Sequence, residues 1–130
     1  MRKKHKQSVF KLNKMFDWWS VPHFMFGMVT ALSAITFYWP TFDLFLITLV
    51  LALLWELLEK KYRLSEAPGN AWVDVVLPLM AFVMTYLLVD TSKLNHEGHV
   101  GLLTITLLLY GVINMLAWQA RFAKDKQFTC

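Results

Sequence analysis

In the stretch WELLEKKYRLSEAPGNAWVDVV, residues 55–76, three carboxylates stand where the chain passes from apolar to polar and back: Glu56, Glu59 and Asp74. His23 in SVPHFMFG and Asn114 in YGVINMLAW interrupt two other apolar runs. Together these side chains make a hard nitrogen and oxygen donor set. Such a set suits a divalent metal ion (Zn, Mn, Fe(II) or Mg) in preference to a soft one. On a helix, Glu56 and Glu59 are separated by about 60° and Asn70 and Asp74 by about 40°, so each pair can face one neighbour. His23, Glu56 and Asp74 are the expected metal ligands, and Glu59 the expected general base or outer supporting group. Asn70 and Asn114 are expected to orient substrate or ligands. Without a metal, His23 with Glu56 or Asp74 is a proton-exchanging pair. The chain has no glycine-rich phosphate loop, nucleophile elbow or CxxC pair, which leaves metal-assisted hydrolysis or acid–base work as the available catalysis. A single cysteine, Cys130, excludes an intramolecular disulfide.

Plainer readings exist for each residue. Carboxylates near the end of an apolar helix can snorkel to water, and Glu59, beside Lys60 and Lys61, fits an ordinary solvated helix end. His23 has no such neighbour. A second histidine pair, His96 and His99 in HEGH, falls in the polar stretch DTSKLNHEGH and reads as a solvated loop.

Four apolar runs must position these groups: residues 18–39, 42–58, 72–89 and 100–118. Each is close to the length that crosses a ~30 Å hydrocarbon core. The chain of 130 residues is 57% hydrophobic, with a mean hydropathy of +0.44. A soluble four-helix bundle needs a polar face on every helix, whereas Leu44 to Trp55 carries one polar side chain, Thr48. The expected fold is therefore all-α, an integral membrane bundle of four transmembrane helices. Pro40 and Thr41 leave room only for a tight hairpin between the first two, and Pro68 and Gly69 break the chain before the third.

Basic residues orient the bundle. Residues 1–17 hold six (Arg2, Lys3, Lys4, Lys6, Lys11, Lys14), the loop after the second helix holds Lys60, Lys61 and Arg63, and residues 120–130 hold Arg121, Lys124 and Lys126. The other loops hold only Lys93. The positive-inside rule places both termini in the cytoplasm, and Trp18, Trp19, Trp55, Trp72 and Trp118 fall at that same side as an interfacial belt. Three segments result: a basic amphipathic cytoplasmic segment at 1–17, with a surface helix expected over 8–16, the transmembrane domain at 18–119, and a basic cytoplasmic tail at 120–130. The net charge of +4 is explained by anionic membrane lipids, with no nucleic-acid partner.

At ~1.5 Å per residue, His23, Glu56, Asp74 and Asn114 all lie within roughly 3–8 Å of the cytoplasmic boundary. Each helix thus offers one strongly polar group at one depth, and ionisable residues inside a membrane mark functional sites. Gly27, one turn deeper than His23, permits close helix approach. Pro78, one turn deeper than Asp74, cannot donate the helical bond that the Asp74 carbonyl would ordinarily accept.

The motifs HFMFG (23–27), WELLE (55–59) and NAWVD (70–74) resemble those of small bacterial inner-membrane proteins of the VanZ-like and YjdF-like kind. The resemblance covers roughly residues 17–85 and implies a bacterial inner-membrane location, with His23, Glu56, Glu59, Asn70 and Asp74 at the matching positions. The Asn70–Asp74 order and the lack of a glycine deep in the third helix depart from that pattern. The function expected from the residues is a metal site at the cytoplasmic leaflet acting on a lipid or lipid-linked headgroup. The alternatives are a small transporter or channel subunit using the ring as a proton or cation site, which requires a homo-oligomer or a larger membrane partner, and a non-catalytic accessory protein.

Overall fold

The computed structural model describes residues 20–61, 70–89 and 91–124, which form four helices: α1 (Ser20–Phe37), α2 (Thr41–Lys61), α3 (Asn70–Leu88) and α4 (His96–Lys124). All four are long and apolar enough to cross a membrane. The amphipathic helix expected over 8–16, Trp18 and Trp19, and the tail beyond 124 lie outside the described residues.

One expectation is corrected at the start of α4. HEGH is the first turn of a helix, not a loop. Asn95 Oδ1 accepts the Gly98 N–H at 2.9 Å, an N-cap bond that satisfies one of the donors a helix start leaves open. At its other end α4 continues past Trp118 through residues that propagate a helix well. The α1–α2 hairpin is as tight as Pro40 and Thr41 require. The Trp39 N–H donates back to the Ala34 carbonyl at 3.1 Å while Tyr38 takes φ 55°, a Schellman closure made without glycine.

Helix α1 is the centre of the bundle, packed most extensively on α3 and also on α4 and α2. Thr48 Oγ1 lies 2.9 Å from Thr30 Oγ1, the Phe26 and Tyr110 rings pack at a tilt, and the Thr36 hydroxyl reaches the His99 carbonyl, so α2 and α4 run against α1. Gly27 meets Pro78, and Ala31 and Ala34 share a core cluster with Phe82, so α3 runs with α1. Leu44 completes that cluster and Phe45 packs edge-on against Phe82, 5.6 Å between centroids.

Small and polar residues face inward, and large apolar ones face outward. The buried stripe of α2 is Leu44, Thr48, Ala52, Glu56 and Glu59, whereas Leu46, Ile47, Val50, Leu53, Leu54, Leu57 and Leu58 are exposed. The one polar residue in the middle of α2, Thr48, is fully buried; it donates to the Leu44 carbonyl at 2.7 Å beside its contact with Thr30. Close approach explains the pattern: Gly27 lets the backbones of α1 and α3 touch, and small side chains keep α2 near.

Candidate functional site

The site is built at the end of the bundle where α1 and α3 begin and α2 ends. Continuing the 4, 4, 4, 3 spacing of the α2 stripe carries Glu56 and Glu59 inward on the face that buries Ala52 and Thr48. On α3, Asp74 precedes Pro78, Ala81, Phe82 and Thr85 on the buried face. These two stripes meet. A carboxylate oxygen from each of Glu56, Glu59 and Asp74 lies within 4.8 Å of the others. Exposure is 5% for Glu56, 3% for Glu59 and 0% for Asp74, so none of the three snorkels to solvent. Glu59 in particular is no solvated helix end, although Lys60 and Lys61 beside it are exposed.

Partners are unevenly distributed. Glu59 Oε1 accepts the Trp55 indole N–H at 3.0 Å, one helical turn back. Both oxygens of Glu56 are buried with no hydrogen-bond partner among the described residues. A buried acceptor left without a donor costs of order 1–3 kcal/mol, more when charged. Three carboxylates this close repel one another, and a bound cation or shared protons would relieve that repulsion. Pro78, which has no N–H, cannot donate the helical bond that the Asp74 carbonyl ordinarily accepts. The arrangement can hold a hard cation with oxygen ligands, or it can hold protons.

His23 is not among the groups within 4.8 Å of each other. It is buried on α1 and faces a cavity of about 250 Å³, lined also by Phe26, Ala52, Trp55, Tyr110 and Asn114. The register of α1 against α3 still relates it to the cluster, since His23 and Asp74 each stand four residues before the Gly27–Pro78 crossing. The polar ring expected from depth is therefore divided between two adjoining places. Glu56, Glu59 and Asp74 form a carboxylate cluster between α2 and α3, while His23 and Asn114 sit on a cavity between α1, α2 and α4. Asn70 begins α3, and its side chain lies outside the described residues.

Two further residues belong to this region. Trp55 joins its halves, lining the cavity and donating to Glu59, and its ring packs edge-on to Trp118 at 6.4 Å. Tyr110 closes the cavity against Phe26 at 6.5 Å. At the opposite end of the bundle, His99 is 4% exposed with neither ring nitrogen hydrogen-bonded among the described residues, a correction to its expected place in a solvated loop. The i, i+4, i+7 spacing of His99, Leu103 and Thr106 is the signal that could have found it.

Comparison of the chain with protein-family models, curated proteins and solved structures found no match.

Proposed function

We propose that the protein is a four-span integral membrane protein, with both termini in the cytoplasm, that holds a divalent cation on Glu56, Glu59 and Asp74 and acts on a lipid headgroup at that leaflet. The single observation that carries this is the buried carboxylate cluster, in which Glu56 has no hydrogen-bond partner among the described residues. The apolar exterior of the helices supports insertion, and the distribution of Lys and Arg supports the orientation. The resemblance to the VanZ-like and YjdF-like proteins adds a bacterial inner membrane as the location.

In this reading Glu56 and Asp74 are the primary ligands. Glu59, with one oxygen held by the Trp55 indole, supports them or moves a proton. His23, expected from sequence as a ligand, here serves the substrate from the cavity wall together with Asn114, which keeps its expected orienting role. A bound Mg, Mn, Zn or Fe(II) ion supplies Lewis-acid polarisation of a headgroup oxygen. The headgroup arrives at this depth by residing in the membrane.

Elemental analysis of protein purified without chelator, beside the Glu56→Gln/Asp74→Asn double variant, tests the reading. Near-stoichiometric metal in the wild type and its loss in the variant are expected. Equal and negligible metal in both proteins sinks it.

A second reading, a proton or cation transporter subunit, is favoured by His99. The interior carries a buried imidazole at one end, carboxylates at the other, and the Thr30–Thr48 contact between them. The stretch between is lined by Ala31, Ala34, Leu44 and Phe82, which gives a proton path no continuous set of partners and leaves this reading second.

A further inference from the structure

We propose that the cavity between α1, α2 and α4 seats the apolar chain of a single-chain lipid phosphate, with the phosphate lying against the carboxylate cluster. The proposal rests on the cation reading and deepens it by naming the substrate class.

The first ground is where the cavity opens. Helices α2 and α4 both pack on α1, yet their backbones stay apart and the Trp55–Trp118 pair bridges them at one end, so the space between them faces sideways. In a membrane-spanning bundle that direction is hydrocarbon. Leu51, half-exposed on the lip, marks the entry from the lipid side.

The second ground is a gradient along the cavity. Phe26 stands level with Tyr110, and with Leu51 and Ala52 these make an apolar inner half. One helical turn nearer the Ser20 end stand His23, Asn114 and Trp55, whose side chains carry nitrogen or oxygen, whereas the inner half has a single polar side-chain atom, the Tyr110 hydroxyl. The polar half is also the half beside the carboxylates. Ala52 is one turn before Glu56, Trp55 bonds to Glu59, and His23 is in register with Asp74. A ligand fitted to this gradient is apolar at one end and polar at the other, oriented as a lipid of that leaflet is oriented.

Volume and charge narrow the class. About 250 Å³ lies below the ~300–1,000 Å³ of pockets that take drug-sized ligands, which favours one slender chain over two. Lys60 and Lys61, exposed in the last turn of α2, put positive charge at the end of the bundle toward which the polar half of the cavity lies. A cation held by carboxylates commonly completes its shell with substrate phosphate. An anionic phosphate headgroup satisfies both. The edge-on Trp55–Trp118 pair walls the same level, where aromatic rings favour the headgroup interface.

The test uses the full chain in detergent, supplied with Mg²⁺, and lysophosphatidic acid as the probe, with bound lipid counted by native mass spectrometry and metal counted in parallel. The wild type is expected to retain one molecule per chain. Ala52→Phe fills the inner half and Leu51→Trp the lip; each is expected to weaken retention at least about tenfold while keeping its metal. Because Leu51 is half-exposed, its variant reports even if Ala52→Phe does not fold. Retention equal in wild type and Leu51→Trp, or displacement by an equal concentration of inorganic phosphate, overturns the chain seat. Metal in the wild type without lipid retention overturns the chain seat and leaves the cation reading standing. Retention unchanged in protein stripped of metal by chelator supports the chain seat and overturns the placement of the phosphate on the cation, while the metal count decides the cation reading.

Discussion

Gly27→Ala is expected to abolish accumulation of the folded protein, or to lower its stability by more than about 3 kcal/mol, the upper end of ordinary overpacking costs. A Cβ on residue 27 would land on the Pro78 carbonyl oxygen, with the Pro78 carbonyl carbon at 2.7 Å and its Cα at 2.8 Å. Those are backbone atoms on the packed face of α3 and cannot turn aside as a side chain could. Relief requires α1 and α3 to separate, and this crossing holds His23 and Asp74 in register. Gly101→Ala and Gly111→Ala on α4 are the controls. Neither added Cβ meets an atom within 4 Å, and Ala is the better helix former by about 1 kcal/mol. Thermal unfolding in detergent distinguishes them: a Gly27→Ala protein that melts with the wild type would mean that the two helices do not cross there.

The second large effect changes sign with the cation. In chelator, Glu56→Gln is expected to be at least as stable as the wild type, because the substitution removes a carboxylate that has no partner among the described residues and that lies against two others. With a saturating divalent cation the order reverses. A ligand that binds only the folded state at 100 times its Kd contributes about 2.7 kcal/mol, and the variant forgoes that gain. Melting curves of both proteins with chelator and with Mg²⁺ or Mn²⁺ read the four corners. If Glu56→Gln melts lower than the wild type in chelator and the wild type gains nothing from either cation, Glu56 belongs to a structural network instead.

Much of this arrangement could be read from residue types and spacing. The helix number and the tight Pro40 turn follow from apolar run length and from proline. The close contact at Gly27 and the interruption at Pro78 follow from what those residues lack. Division of the polar ring into a carboxylate cluster and a cavity was not legible. Depth along a helix is a matter of counting, but the rotation of one helix about its axis relative to another is decided by packing, and this sets His23 on a different side from Glu56. Burial of Glu59 was closer to hand. In a helix apolar all round, the small and polar residues mark the inside, and Thr48, Ala52 and Glu59 fall on one stripe. The lysines that follow Glu59 suggested solvent, yet they lie on the exposed side of the same turn. His99 was hidden by its polar neighbours, which cap and begin a helix whose fourth residue turns inward.

In the proposed function Glu56, Glu59 and Asp74 together hold one cation. Adding Mn²⁺ to chelator-stripped wild-type protein and following the free-ion signal by electron paramagnetic resonance tests it most directly. Loss of the signal equivalent to one ion per chain is expected, and no such loss with the Glu56→Gln/Asp74→Asn variant. A full free-ion signal at every ratio of Mn²⁺ to wild-type protein, with Mg²⁺ and Zn²⁺ likewise unbound by dialysis, would contradict it.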